Sequence, residues 1–177
     1  MSEQTLMTSL FRFKAWANEE LFGALTALRG EAPSPEYQAA IRVLNHAHTV
    51  DRIFVANLQK LDHAYRTNWP ADVPSLAQLS QDVRDTDRWY VDYISHISPN
   101  ELEEVIDFTF TDATWGRMSR EEMLAHVITH GGYHRGEVGR LLPQIERTAS
   151  QDVFAGYLHR SDPKRREQLR SSPAASR

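Results

Sequence analysis

Apolar side chains recur at helical spacing along four long stretches of the chain. In residues 4–29 Leu6, Leu10, Phe11, Trp16, Leu21, Phe22, Leu25 and Leu28 follow a repeat close to 3.6. Gly30 then reads as a stop, with Pro33 and Pro35 punctuating the linker. Ser34-Pro35 has the form of an N-cap and first turn. It opens a second helix through Ala39, Val43, Leu44, Ala47, Val50, Phe54 and Leu58 to about Leu61. Residues 62–74 hold Asn68, Pro70 and Pro74 and read as a loop. Ser75 begins a third helix carrying Leu76, Leu79, Val83, Trp89, Tyr90, Tyr93, Ile94 and Ile97, and Ser98-Pro99-Asn100 ends it. From Val105 the pattern changes: Val105-Ile106-Asp107-Phe108-Thr109-Phe110-Thr111 is rich in β-branched and aromatic residues, with Gly116 beyond it. That predicts a short strand or hairpin over 105–115. Ser119-Arg120-Glu121-Glu122 is a capping-box sequence and starts a fourth long helix, which Pro143 stops after about Leu142. A short helix follows at roughly 150–160.

Four long helices with extended connections after the second and the third predict an all-α chain built as a helix bundle with crossovers. There is no internal repeat. A length of 177 residues suits one domain, expected over residues 1–160, with the polar tail 161–177 expected to be disordered. A net charge of −4 gives no broad electropositive surface, so nucleic acid is not the expected partner. The basic run Lys164-Arg165-Arg166 reads as part of the solvated tail. No stretch has the length and apolarity of a membrane span, and Met1-Ser2-Glu3-Gln4 does not begin a secretory leader. A cytoplasmic protein with no membrane partner is the expectation. Cysteine is absent, which excludes disulfides, thiolate nucleophiles and cysteine-ligated zinc. A metal site must therefore use His, Asp and Glu, and any reacting thiol must arrive from outside.

Histidines supply the candidate chemistry. His126, His130 and His134 follow one another at intervals of one helical turn, about 6 Å apart along the axis. Two imidazoles so spaced can converge on one cation. Three cannot, because the outer pair is about 12 Å apart and a metal–imidazole bond is about 2 Å. The pair is therefore His126/His130 or His130/His134. On the second helix His46 and His48 diverge by about 160°, so only one of them faces the fourth helix. One such imidazole would complete a three-histidine site with open coordination positions, the arrangement of catalytic metals. Gly131 and Gly132 lie inside this helix, at a cost of about 1 kcal/mol each against alanine. Close helix packing or room above a metal would explain them, and Gly136 and Gly139 fit the packing explanation.

These residues resemble those of a known family. His126-Val127-Ile128-Thr129-His130-Gly131-Gly132-Tyr133-His134-Arg135-Gly136-Glu137 is similar to the H-x-x-x-H-R-G-Q signature on the last long helix of the DinB/YfiT-like proteins. Leu44-Asn45-His46, and then Val50-Asp51-Arg52-Ile53, resembles the family's second-helix motif. Trp16-Ala17-Asn18 and the segment from Asp152 to His159 are similar too, so the resemblance spans about residues 4–160. It implies an up-down-down-up four-helix bundle with the strand or hairpin inserted before the last long helix. It also implies metal ligands at His46, His130 and His134, with His48 and His126 outside the ligand set. Glu137 departs from the glutamine frequent in the pattern. Relatives are often dimeric, and several are metal-dependent enzymes that use low-molecular-weight thiols; a homodimer acting on a small-molecule substrate is thus implied.

The expected function is that of a metal-dependent, thiol-using transferase. A divalent metal, nickel or zinc first and iron or manganese after them, would activate a low-molecular-weight thiol. A hydrolase using metal-bound water and a non-catalytic metal-binding stress-response protein are the alternatives. His48, His126, Asp51 and Tyr133 are candidates for supporting or proton-transfer roles. Against these, Asp51 is expected in an ion pair with Arg52 or Arg135, and Tyr133 in packing. Trp16, Phe54 and Trp89 are expected in the core, and Trp115 in a loop beside the fourth helix near a pocket mouth.

Overall fold

The computed structural model describes residues 3–28, 34–142 and 153–167. Four long helices dominate: α1 (Glu3–Ala27), α2 (Pro35–Gln59), α3 (Leu76–His96) and α5 (Arg120–Leu141). A single turn, α4 (Pro99–Leu102), and an antiparallel hairpin, β1 (Val105–Thr109) and β2 (Trp115–Ser119), separate α3 from α5. Two short helices follow, α6 (Phe154–Ser161) and α7 (Lys164–Glu167). The chain is therefore mainly α with one small two-stranded sheet, as the apolar spacing predicts. No described helix is long and apolar enough to cross a membrane.

The helix starts follow from local chemistry. Ser34, Ser75 and Ser119 each accept a backbone N–H two or three residues into their helices, and Glu122 closes the capping box on Ser119. Lys60, in the left-handed conformation at φ 57°, ends α2 just short of Leu61. Gly30 and Pro143, the expected stops of the first and fourth helices, lie outside the described residues. Ser98-Pro99-Asn100 does more than end α3: Ser98 and Glu101 form a second capping box that starts α4. The polar segment after Ser161 also differs from its expected disorder as far as residue 167. Asp162 and Pro163 precede α7, Pro163 having its φ preset for a first turn, and Arg165 donates to the Asp162 carboxylate at 3.3 Å.

Helix α1 packs on α3 and α2 on α5, with further contacts of α1 with α5 and α2 with α3. The buried apolar residues fall into two clusters. One holds Phe11 of α1, Phe54 and Leu58 of α2, Tyr90 and Ile94 of α3, and Met123 and Val127 of α5, with Ile106 and Phe108 of β1 beneath them. The other holds Leu25, Leu44, Leu79 and Val138 from the same four helices. Along α1 and α5 the first cluster comes first in sequence, and along α2 and α3 it comes second. Between the clusters every long helix carries buried polar residues: Lys14 and Asn18, His46 and Asp51, Thr86 and Asp87, His134 and Arg135. The core is thus two apolar halves with a polar layer between them.

Candidate metal centre

The polar layer holds two constellations, and the histidines form the one between α2 and α5. His130 and His134 lie one turn apart on α5, and His46 reaches them from α2. Their ring centroids are 4.4 Å apart for His130 and His134, 5.1 Å for His46 and His130, and 4.7 Å for His46 and His134. One nitrogen from each ring can be chosen so that all three lie within 4.8 Å of one another. An ion bound at about 2.0–2.1 Å to each needs nitrogens about 3–4 Å apart, so small side-chain rotations bring this group to ligand geometry.

Two of the rings are oriented by their outer nitrogens. His46 Nδ1 is 2.7 Å from the Asn68 carbonyl oxygen, which can only accept, so Nδ1 carries the proton and Nε2 is left as a donor of electrons. Trp69, next along the chain, stacks flat on the His46 ring, with centroids 3.9 Å apart and planes 3° from parallel. His134 Nδ1 is 2.9 Å from Glu137 Oε2, and its Nε2 is 3.1 Å from His130 Nε2. A carbonyl or carboxylate behind each metal-facing imidazole is the arrangement that fixes tautomer and ring angle in metal sites. His130 has no such partner: its Nδ1 is buried and unpartnered among the described residues.

Burial keeps these rings neutral, the form that binds metal. It lowers the His46 pKa, against the pull of the Asn68 carbonyl. Burial and the neighbouring His134, His126 and His46 bring His130 down to about 3.

The other histidines sit elsewhere. His48 Nε2 meets Thr86 Oγ1 on α3 at 3.1 Å, on a different side of α2 from His46. Burial lowers its pKa to about 4. His126 stacks on His130 with centroids 5.2 Å apart and lies 4.8 Å from the Phe54 ring, one turn away from the triad. Of the two pairs open on helix geometry, His130/His134 is the one that meets His46.

The second constellation corrects the reading of Asp51. Its partner is Lys14 of α1, not Arg52 or Arg135: Lys14 Nζ lies 2.7 Å from Asp51 Oδ2 and 2.6 Å from Asp87 Oδ1. Asn18 Nδ2 donates to Asp87 Oδ2 at 2.8 Å, and Arg135 Nη1 donates to Asn18 Oδ1 at 3.2 Å. Burial opposes the charge on Lys14, but the two carboxylates outweigh it and raise its pKa. This cluster also explains one glycine. A Cβ on Gly131 would come within 3.3 Å of the Lys14 stem and 3.2 Å of Arg135, so Gly131 makes room for the ionic cluster rather than for a metal. Gly136 and Gly139 have no heavy atom within 4 Å of such a Cβ, so tight packing does not account for them.

Two aromatic expectations need correction. Tyr133 is 72% exposed and meets the site only through a ring contact with His134, because its position on α5 points outward. Trp115 is the first residue of β2, not a loop residue, and is 81% exposed. Phe54 is buried as expected, while Trp16 and Trp89 are only partly so. Sequence reasoning missed Asn68, Trp69 and Lys14. Nothing local marks Asn68 or Trp69, which meet His46 across more than twenty residues. Lys14 did carry a signal: with Phe11 and Asn18 it lies on the inward stripe of an amphipathic helix, where a charge demands a buried partner.

The model of the DinB family matches residues 1–166 of the chain. "Protein DinB" of Bacillus subtilis (strain 168) is 21% identical to it over 160 residues, spanning 84% of this chain and 91% of that protein.

Proposed function

This chain belongs to the DinB family, and on that premise we propose that it is a metalloenzyme that transfers a low-molecular-weight thiol. His46, His130 and His134 would hold one divalent ion, nickel or zinc before iron or manganese. We read the four long helices as an up-down-down-up bundle, which the opposite order of the two apolar clusters along α1 and α5 against α2 and α3 supports.

The observation that carries the reading is the convergence of three imidazoles from two helices, two of them held by outer acceptors. Three neutral protein donors leave coordination positions for a substrate group. The ion would supply Lewis acidity and a lowered pKa for a thiol or water. The chain's own part is positional. Asn68 and Glu137 keep the Nδ1 protons of His46 and His134 turned outward. Trp69 covers one face of His46 and, itself 50% exposed, borders the site on the solvent side. With no cysteine in the chain, the sulfur must come with the substrate.

The test is consumption of glutathione or cysteine with an alkyl or aryl halide acceptor. The stripped protein and protein reloaded with nickel or zinc are assayed beside His134→Ala. Thiol consumption that appears on reloading and is absent from the variant is expected. A rate indifferent to chelation, or no turnover with any thiol tried, would remove the transferase reading.

A further inference from the structure

A second candidate site lies away from the histidines, where the chain leaves α2. The segment after Lys60 runs beside the hairpin, and between them is a cavity of about 710 Å³. That volume is in the range that takes a small molecule. Tyr65, Phe108, Phe110 and Trp115 give it aromatic walls. The register sets Phe108 opposite Gly116, and a Cβ on Gly116 would lie 2.5 Å from the Phe108 ring and 2.8 Å from Phe110. Glycine at this position is what lets both rings lie across the hairpin.

The polar groups lining the same cavity are unequally committed. Lys60 is paired with Glu104, and Asp107 faces Arg117 at 3.7 Å. Asn57 is only 7% exposed, yet its Nδ2 has no hydrogen-bond partner among the described residues. The Nδ1 of His63 is likewise buried and unpartnered. Arg66 enters no ion pair among the described residues, and it too lines the cavity. Buried polar groups without partners are exceptions in folded proteins, and two in one cavity beside an uncommitted guanidinium call for an acceptor-bearing ligand. Asp62 is the one uncommitted carboxylate in the lining, which favours a ligand with a single negative charge.

We propose that the cavity between residues 60–66 and the β1–β2 hairpin binds a planar aromatic monocarboxylate, its carboxylate toward Arg66, Asn57 and His63 and its ring against Trp115 and Phe110. The site is separate from the metal centre. Asn57 and His46 are eleven residues apart on α2, about 16 Å along its axis. Contacting rings from Phe108 through Phe54 and His126 to His130 lie between the two sites. The proposal therefore stands or falls without the metal reading.

The test is calorimetric titration of the full chain with 2-naphthoate, the wild type beside Arg66→Ala, Trp115→Ala and His134→Ala. Arg66 and Trp115 are exposed, so their truncation spares the core. One saturable site is expected. Arg66→Ala should weaken it about tenfold through loss of a charged hydrogen bond, and Trp115→Ala about fivefold through loss of ring contact. The neutral 2-naphthalenemethanol should bind more weakly than the acid, and His134→Ala should bind like the wild type. Absence of saturable binding at millimolar naphthoate, or equal binding by both cavity variants, would overturn the proposal. Loss of binding in His134→Ala alone would move the ligand to the metal centre and overturn it equally.

Discussion

The two constellations of the polar layer solve the same problem in opposite ways. Both gather buried polar side chains from separate helices between two apolar halves of the core. Around Lys14 the chain supplies its own cation: one ammonium meets two carboxylates at 2.6–2.7 Å, and Asn18 and Arg135 extend the network. Around His134 it supplies only neutral donors. Two ring nitrogens face each other at 3.1 Å, and a third imidazole is turned toward them by the Asn68 carbonyl. The first cluster is complete as it stands. The second gathers electron pairs with no positive charge from the chain to meet them, the condition of a site built for a cation from outside.

That contrast is open to direct attack, and the largest effect belongs to the self-sufficient cluster. Lys14→Met leaves two buried carboxylates without a cation, and should cost about 3–5 kcal/mol of stability. Chemical denaturation reads this, and added metal should not restore it. The histidine cluster should behave in reverse. Nickel or zinc at a hundred times its dissociation constant should stabilise the wild type by about 2.7 kcal/mol, a rise in Tm of about 5–10 °C. Differential scanning fluorimetry should show the rise in the wild type and lose it in His134→Ala. An equal rise in the variant would mean that the metal binds elsewhere.

Glu137 divides the geometric from the electrostatic part of the site. Glu137→Ala removes the acceptor behind His134, and should weaken metal binding about 10–100-fold in a chelator competition. Glu137→Gln keeps an oxygen that can accept from Nδ1, and should lose less than the alanine variant. If the two variants match the wild type, the carboxylate does not position the ring.

The smallest effect concerns protons. His48 titrates at about 4 in the fold against an ordinary 6.5, so over that interval the unfolded chain takes a proton that the folded chain refuses. Stability should therefore fall as the pH is lowered through 6.5 toward 4. His48 should contribute about 1 kcal/mol of the loss between pH 7 and 5.5. Urea titrations of metal-free His48→Gln should show a correspondingly flatter pH dependence than the wild type.

Much of this was legible in the sequence, for reasons that are themselves local. Helix extents follow from apolar periodicity, and Ser34, Ser75 and Ser119 mark three starts because capping is a contact within one turn. The rise per residue limited the histidines of α5 to adjacent pairs, and the family resemblance selected those that the fold brings together. What escaped depends on tertiary packing. The Lys14–Asp51 contact joins residues 37 apart, so Asp51 was matched with arginines nearer its motif. The stacking of Trp69 on His46 needs the return path of residues 62–74, which no periodicity encodes. Trp115 was read as a loop residue because the hairpin's second strand, Trp115–Ser119, carries little β signal of its own beside Gly116.

The central claim, one ion on His46, His130 and His134, is tested most directly by metal analysis of protein purified without an affinity tag. Wild type and His134→Ala are stripped with chelator, reloaded with nickel or zinc, dialysed and measured by mass spectrometry. The account predicts close to one ion per chain in the wild type and a small fraction of that in the variant. Wild-type protein that takes up no stoichiometric metal, or a variant that holds as much as the wild type, would contradict it.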